Sequence, residues 1–67
     1  MNRFSERLRE LRVERKLTQR ALGEKLGISH ISIANFELGG QTDFNTLIKI
    51  AKFFGVSTDY LLGVADV

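Results

Sequence analysis

The sequence has no cysteine, no proline, no tryptophan and a single histidine. Without cysteine there is no disulfide and no thiolate chemistry. One histidine excludes a His-based zinc cluster. No apolar run approaches the roughly 18 residues that a membrane-spanning helix needs. Met1 leads into polar, charged sequence with no secretory leader, so the expected compartment is cytoplasmic. What remains is a chain of 67 residues, enough for one domain with one small core. Size scaling gives roughly 4,300 Å² of folded surface, with about 60% of the extended chain's surface buried. A large enclosed substrate cavity does not fit that size. Hydrophobic residues make up 43% and charged residues 27%, values that favour a folded chain over disorder. A domain this small without staples depends on good helix packing.

The net charge is only +2, but it is unevenly spread. Residues 1–28 carry Arg3, Arg7, Arg9, Arg12, Arg15, Lys16, Arg20 and Lys25 against four glutamates. Residues 29–67 carry Lys49 and Lys52 against Glu37, Asp43, Asp59 and Asp66. A basic front half suits an anionic partner; the competing reading is a solvated helix face.

The apolar spacing is helical throughout. Phe4, Leu8 and Leu11 fall at i, i+4 and i+7, one stripe of a helix over about residues 3–15. Arg15 and Lys16 at its end complement the helix dipole. Thr18 is the N-cap of a second segment, with Leu17 and Leu22 forming a hydrophobic staple. Leu22 and Leu26 point inward, and Gly27 stops the helix. The same device recurs in Gly27-Ile28-Ser29, with Ile28 set to meet Ile33, and in Gly55-Val56-Ser57, with Val56 set to meet Leu61. Each tripeptide leaves almost no loop, so the chain must turn sharply. Gly39-Gly40 ends the third helix and opens a loop at 38–43. Asp43 caps a fourth helix over 44–54, whose apolar positions are Leu47, Ile48, Ile50, Ala51 and Phe54. A fifth, over 58–62, carries Tyr60, Leu61 and Leu62. No alternation long enough for a strand occurs. The predicted fold is all-α, a compact five-helix domain spanning residues 1–67.

Segments 18–26 and 30–37, joined by Gly27, Ile28 and Ser29, have the layout of a helix-turn-helix. Gly23, four residues before the turn, lets the second helix cross closely. Ile28 and Ile33 anchor the crossing. One face of the second helix then points away from the body, at a width that a DNA major groove admits.

At these residues the chain resembles the Cro/repressor-type helix-turn-helix proteins, the xenobiotic-response-element family. The matching stretches are Arg7-Leu8-Arg9-Glu10-Leu11-Arg12, Leu17-Thr18-Gln19, Glu24-Lys25-Leu26-Gly27-Ile28-Ser29, Ile33, Glu37 and Gly39. They continue through Thr46-Leu47-Ile48-Lys49-Ile50-Ala51-Lys52 and Gly55-Val56-Ser57-Thr58-Asp59-Tyr60-Leu61-Leu62-Gly63. The resemblance covers about residues 5–63. It implies a lambda-repressor-like domain, helix-turn-helix in helices 2 and 3, with no cofactor or metal. The implied role is a bacterial or phage-encoded transcriptional regulator, a repressor, usually dimeric on a palindromic double-stranded DNA operator and associated with the nucleoid.

The resemblance also implies residue roles. Gln19, in the first turn of helix 2, matches a phosphate-contacting glutamine, where free N–H groups and the positive helix end face an anion. His30, Ile31 and Asn35 match base-reading positions, with Ser29 and Ser32 beside them. Asparagine can pair in bidentate fashion with adenine, and an exposed isoleucine can pack on a thymine methyl. His30 can donate to guanine or to a phosphate. The plain alternatives are surface residues at 30 and 35 and a core residue at 31. Arg12 and Glu37 match a structural ion pair that fixes helix 1 against helix 3. Arg9, Arg12 and Arg20 are further candidates for the DNA backbone. Phe36 matches a core position. Phe44, Phe53, Phe54 and Tyr60 read as core or dimer surface. Adjacent Phe53 and Phe54 cannot both face one core, so one of them is expected to meet helix 5 or another subunit.

Three features depart from the family pattern. The recognition helix has no Arg or Lys, the loop 38–43 is not basic and lacks proline, and Lys16 stands where relatives often have glycine. Each missing phosphate contact flattens the salt dependence by about 0.9 in slope. A second reading therefore stands beside DNA binding: a protein-interaction module, antitoxin-like or anti-repressor, using the His30/Ile31 face or helices 4 and 5. No enzyme is expected. His30 has only Ser29 and Ser32 near it, and Glu6, Glu10 and Glu14 read as a helix face. The tail Gly63–Val67 is too short for a separate dimerisation domain, so the chain is either a fragment or a weak homodimer through helix 5 and this tail.

Overall fold

A computed structural model describes residues 3–67; the first two residues of the predicted domain lie outside the described residues. Five helices follow one another: α1 Arg3–Glu14, α2 Gln19–Leu26, α3 His30–Glu37, α4 Phe44–Phe54 and α5 Thr58–Leu62. No strand occurs among the described residues. The body measures 27 × 21 × 21 Å.

Local chemistry sets the helix ends. Thr18, Ser29, Asp43 and Ser57 hold extended backbone, and each side chain accepts a bond from an N–H of the helix that follows. Each takes up a backbone donor that a helix N-terminus leaves unpaired. The Thr46 side chain and N–H bond the Asp43 carboxylate and hold its pKa below the usual carboxylate range. The corners share one pattern. Lys16, Gly27, Gly55 and Gly63 have positive φ, and the next residue's N–H reaches back five residues. This is the Schellman turn. Lys16 adopts it at φ 58° despite its Cβ, at a cost of about 1 kcal/mol. Helix α3 ends on the same bond pair, with Gly39 at φ 110° and the Gly40 N–H reaching back to the Asn35 carbonyl at 2.9 Å.

Each helix contributes one apolar side chain with no solvent exposure: Leu8, Leu22, Ile33, Ile50 and Leu61. Phe4, Leu26, Phe36, Leu47, Ala51 and Phe54 complete the buried cluster. The Phe4 and Phe36 rings lie 5.8 Å apart, which places Phe36 in the core as expected. The staple residues Leu17, Ile28 and Val56 pack against the same cluster. A closed core of this kind stabilises a short chain through apolar burial.

Two positions differ from the sequence reading. Ile48 is exposed rather than inward; Leu62 is exposed too, and Phe44 is 83% exposed, which excludes Phe44 from the core. Arg15 does not serve its own helix. It donates to the carbonyls of Phe53 and Phe54 at 3.3 and 3.2 Å, so it caps α4. Its guanidinium also lies over both rings. This resolves the adjacent phenylalanines. Phe54 is buried, while Phe53 packs edge-on against it and lies beneath Arg15, just past the end of α1.

Candidate nucleic-acid interface

The α2–α3 corner depends on Gly23. A Cβ on Gly23 would lie 2.7 Å from the Ile28 carbonyl oxygen and 3.1 Å from the His30 nitrogen, a separation that backbone atoms cannot yield. The Ile28 N–H bonds the Gly23 carbonyl at 2.9 Å. The first turn of α3 thus lies directly on the backbone of α2, and Ile33 anchors it from beneath.

With Ile33, Phe36 and Glu37 turned inward, the opposite side of α3 faces out. Ile31 is 61% exposed, Asn35 is exposed, and His30 is half-buried where it touches the α2 backbone. Ser29 is exposed, with its Oγ accepting from the Ile31 N–H, and Ser32 is half-buried. The core reading of Ile31 therefore fails. Side chains 30, 31 and 35 form an outward edge with one imidazole, one apolar group and one amide.

Behind this edge lies a buried ion pair. Arg12 Nε donates to Glu37 Oε2 at 2.6 Å and Arg12 Nη2 to Glu37 Oε1 at 2.9 Å, a two-point fork. Arg12 Nη1 donates to the Leu17 carbonyl at 2.8 Å. The side chains are 13% and 5% exposed. Bonding to Glu37 raises the Arg12 pKa further above its ordinary value. All three nitrogens of Arg12 are thus engaged inside the protein, with one N–H each on Nη1 and Nη2 left over. Gln19 joins the same group by donating from Nε2 to Glu37 Oε1 at 3.3 Å. Sequence reasoning did not foresee that bond. The amide retains a second N–H, and Gln19 lines a concavity of about 310 Å³ with Arg9, Ala34, Glu37 and Leu38. Arg9 and Gln19 are thus brought together; Arg20 is exposed on α2.

Two supports escaped the sequence reading. Arg7 is buried, donates to the Tyr60 and Ala65 carbonyls, and lies 4.1 Å from the Tyr60 ring centre, tying α1 to α5 and the tail. Buried Ser5 donates to the Phe36 carbonyl. Both were detectable, because Arg7 and Ser5 adjoin the Phe4–Leu8 stripe. Among the described residues, no helix is long and apolar enough to cross a membrane, and no three His, Asp or Glu side chains gather to hold a metal ion.

The helix-turn-helix domain family matches residues 5–67. The chain belongs to that family. Helix-turn-helix relatives include the transcriptional regulator YqaE of Bacillus subtilis, 45% identical over 60 residues, covering 88% of this chain and 52% of the relative. Another is the transcriptional regulator ImmR of the same organism, 40% identical over 65 residues, covering 96% of this chain and 51% of the relative. The chain therefore spans about half the length of these curated relatives. Among solved structures, the helix-turn-helix of the P22 c2 repressor protein, in complex with a synthetic operator, superposes with a TM-score of 0.85 at 32% identity. That match covers 92% of this chain and 96% of the repressor chain. The lambda-repressor-like five-helix fold is thus shared with a repressor's DNA-binding domain.

Proposed function

We propose that this helix-turn-helix domain binds double-stranded DNA sequence-specifically as part of a cytoplasmic transcriptional regulator, a repressor and not an enzyme. The observation that carries the reading is the outward edge of α3 on a corner closed by Gly23, in a fold shared with an operator-bound repressor. In this reading residues 5–63 form the core of a single domain, and α3 enters the major groove. Asn35 pairs with adenine, Ile31 packs on a thymine methyl, and His30 donates to guanine or a phosphate. Gln19, Arg9, Arg20, Ser29 and Ser32 hold the backbone, and the Arg12–Glu37 pair fixes their frame. A weak homodimer through α5 and the tail reads two half-sites of a palindrome about 34 Å apart. Exposed Leu62 and Val64 support that surface.

The test is selection from random duplexes with sedimentation alongside. An enriched palindrome is expected. Asn35→Ala should relax one base position by about 1–3 kcal/mol, whereas Arg9→Ala should weaken all duplexes evenly. Equal losses on selected and random DNA for Asn35→Ala would remove the base-reading assignment.

The absence of Arg and Lys from α3 favours a second reading, in which the same edge binds a protein. Ionic strength separates the two. DNA affinity should fall steeply with salt, and an apolar protein contact should not.

A further inference from the structure

We infer that the seam between α2 and α4 is a docking surface for an acidic, partly apolar protein segment, separate from the reading edge of α3. A concavity of about 350 Å³ runs along this seam, lined by Lys25, Leu26, Lys49, Lys52 and Phe53. The three lysines are exposed, and Lys49 Nζ reaches the Leu26 carbonyl at 3.3 Å. Arg15 joins them at the Phe53 end, with its guanidinium carbon 5.4 Å from the ring centre. Three lysines therefore line the concavity with half-buried Phe53, and Arg15 lies over its ring. Among the described residues, no carboxylate forms an ion pair with any of them.

Dipole complementation at the last turns of α2 and α4 explains why cations are favourable here. It leaves all four without a counter-ion. Lys49 and Lys52 are helix neighbours at i and i+3, well within the ~8 Å over which charges act together at physiological salt. An acidic chain approaching them gains a faster encounter than any single exposed pair provides.

The apolar floor distinguishes between anionic partners. A phosphate backbone offers nothing to Leu26 and Phe53. A peptide that alternates acidic and aliphatic residues satisfies both the rim and the floor. Position points the same way. Helix α2 packs against both α3 and α4, and no residue lining the concavity belongs to α3. A duplex held by α3 leaves the seam open.

The experiment titrates the ¹⁵N-labelled full chain with a peptide of four Asp-Leu-Glu repeats and, in parallel, with an oligoglutamate of equal charge. Amide shifts are expected at Lys25, Leu26, Lys49, Lys52 and Phe53, with the leucine-containing peptide binding more tightly. Lys49→Gln/Lys52→Gln should weaken that peptide about five-fold, the loss of two exposed pairs. Circular dichroism checks that the double variant stays helical; Lys25→Gln supplies the same readout if it does not. Adding a duplex should leave the peptide bound. Equal binding of oligoglutamate, with shifts spread over Arg3, Arg9 and Arg20, would overturn the inference, as would displacement of the peptide by the duplex. The peptide titration needs no DNA, so its failure and a failure of DNA binding are read separately.

Discussion

The two Gly-apolar-Ser corners are the same three-residue instruction with two outcomes. At Gly27-Ile28-Ser29 and at Gly55-Val56-Ser57 the glycine φ is 72° and 69°, and the serine caps the next helix. The middle N–H reaches back five residues, to Gly23 at 2.9 Å and to Ala51 at 3.0 Å. The difference is the residue reached. Gly23 has no room for a Cβ, while Ala51 carries one. The bracing differs too. Arg12 and Glu37 lock the first corner from inside, whereas exposed Arg15 caps the helix entering the second. The first corner is therefore built for close approach and a fixed angle. It leads into eight helical residues with a free face, the second into five that bury Leu61.

Breaking the braces gives the largest contrast. Glu37→Ala leaves Arg12 buried without its partner and should cost about 3 kcal/mol, read as a fall in Tm of more than about 12 °C. Arg15→Ala should cost less than about 1 kcal/mol, because its contacts are exposed or only partly buried. Equal losses would mean that the corners are braced alike. Next come the residues reached. Gly23→Ala forces backbone apart and should cost about 2 kcal/mol, with amide shifts spreading into the first turn of α3. Ala51→Gly should cost about 1 kcal/mol through helix propensity. Denaturant midpoints decide the order.

The corner after α1 sharpens the comparison, because it makes the same turn on Lys16. Lys16→Gly should stabilise the protein by roughly 0.5–1 kcal/mol in urea unfolding, since glycine carries no Cβ penalty. The smallest effect concerns acid. Asp43 caps the helix before the second corner, and uncharged Thr18 the helix before the first. Because the folded pKa of Asp43 is depressed, its contribution is complete above the unfolded carboxylate value of about 3.9 and disappears as pH falls through the lower folded value. Asp43→Asn should therefore flatten the stability profile below about pH 4, leaving the neutral region nearly unchanged.

What was legible in the sequence was local. Thr18, Ser29, Asp43 and Ser57 define helix starts through bonds that span three residues or fewer, and Gly27 and Gly55 define stops through bonds that span no more than five. The outward direction of Ile31 and Asn35 followed from placing Ile33 inward. What was not legible involved long side chains and distant partners. Arg15 reaches nearly forty residues along the chain to α4, and Arg7 reaches the tail. Spacing gave the stripe of α4 but not its width, so Ile48 fell on the wrong side of the boundary. In the candidate site, the bond from Gln19 to Glu37 was hidden because spacing on one helix says nothing about the end of another.

Leu8, Leu22, Ile33, Ile50 and Leu61 converge from five different helices with none left wet. A meeting point with five contributors has no spare member. Cutting out the α2–α3 pair would strip Leu22 and Ile33 of three of their neighbours, so that pair is not a transplantable part. The domain should melt as one cooperative unit, with slow amide exchange at the centre of every helix sharing one opening free energy.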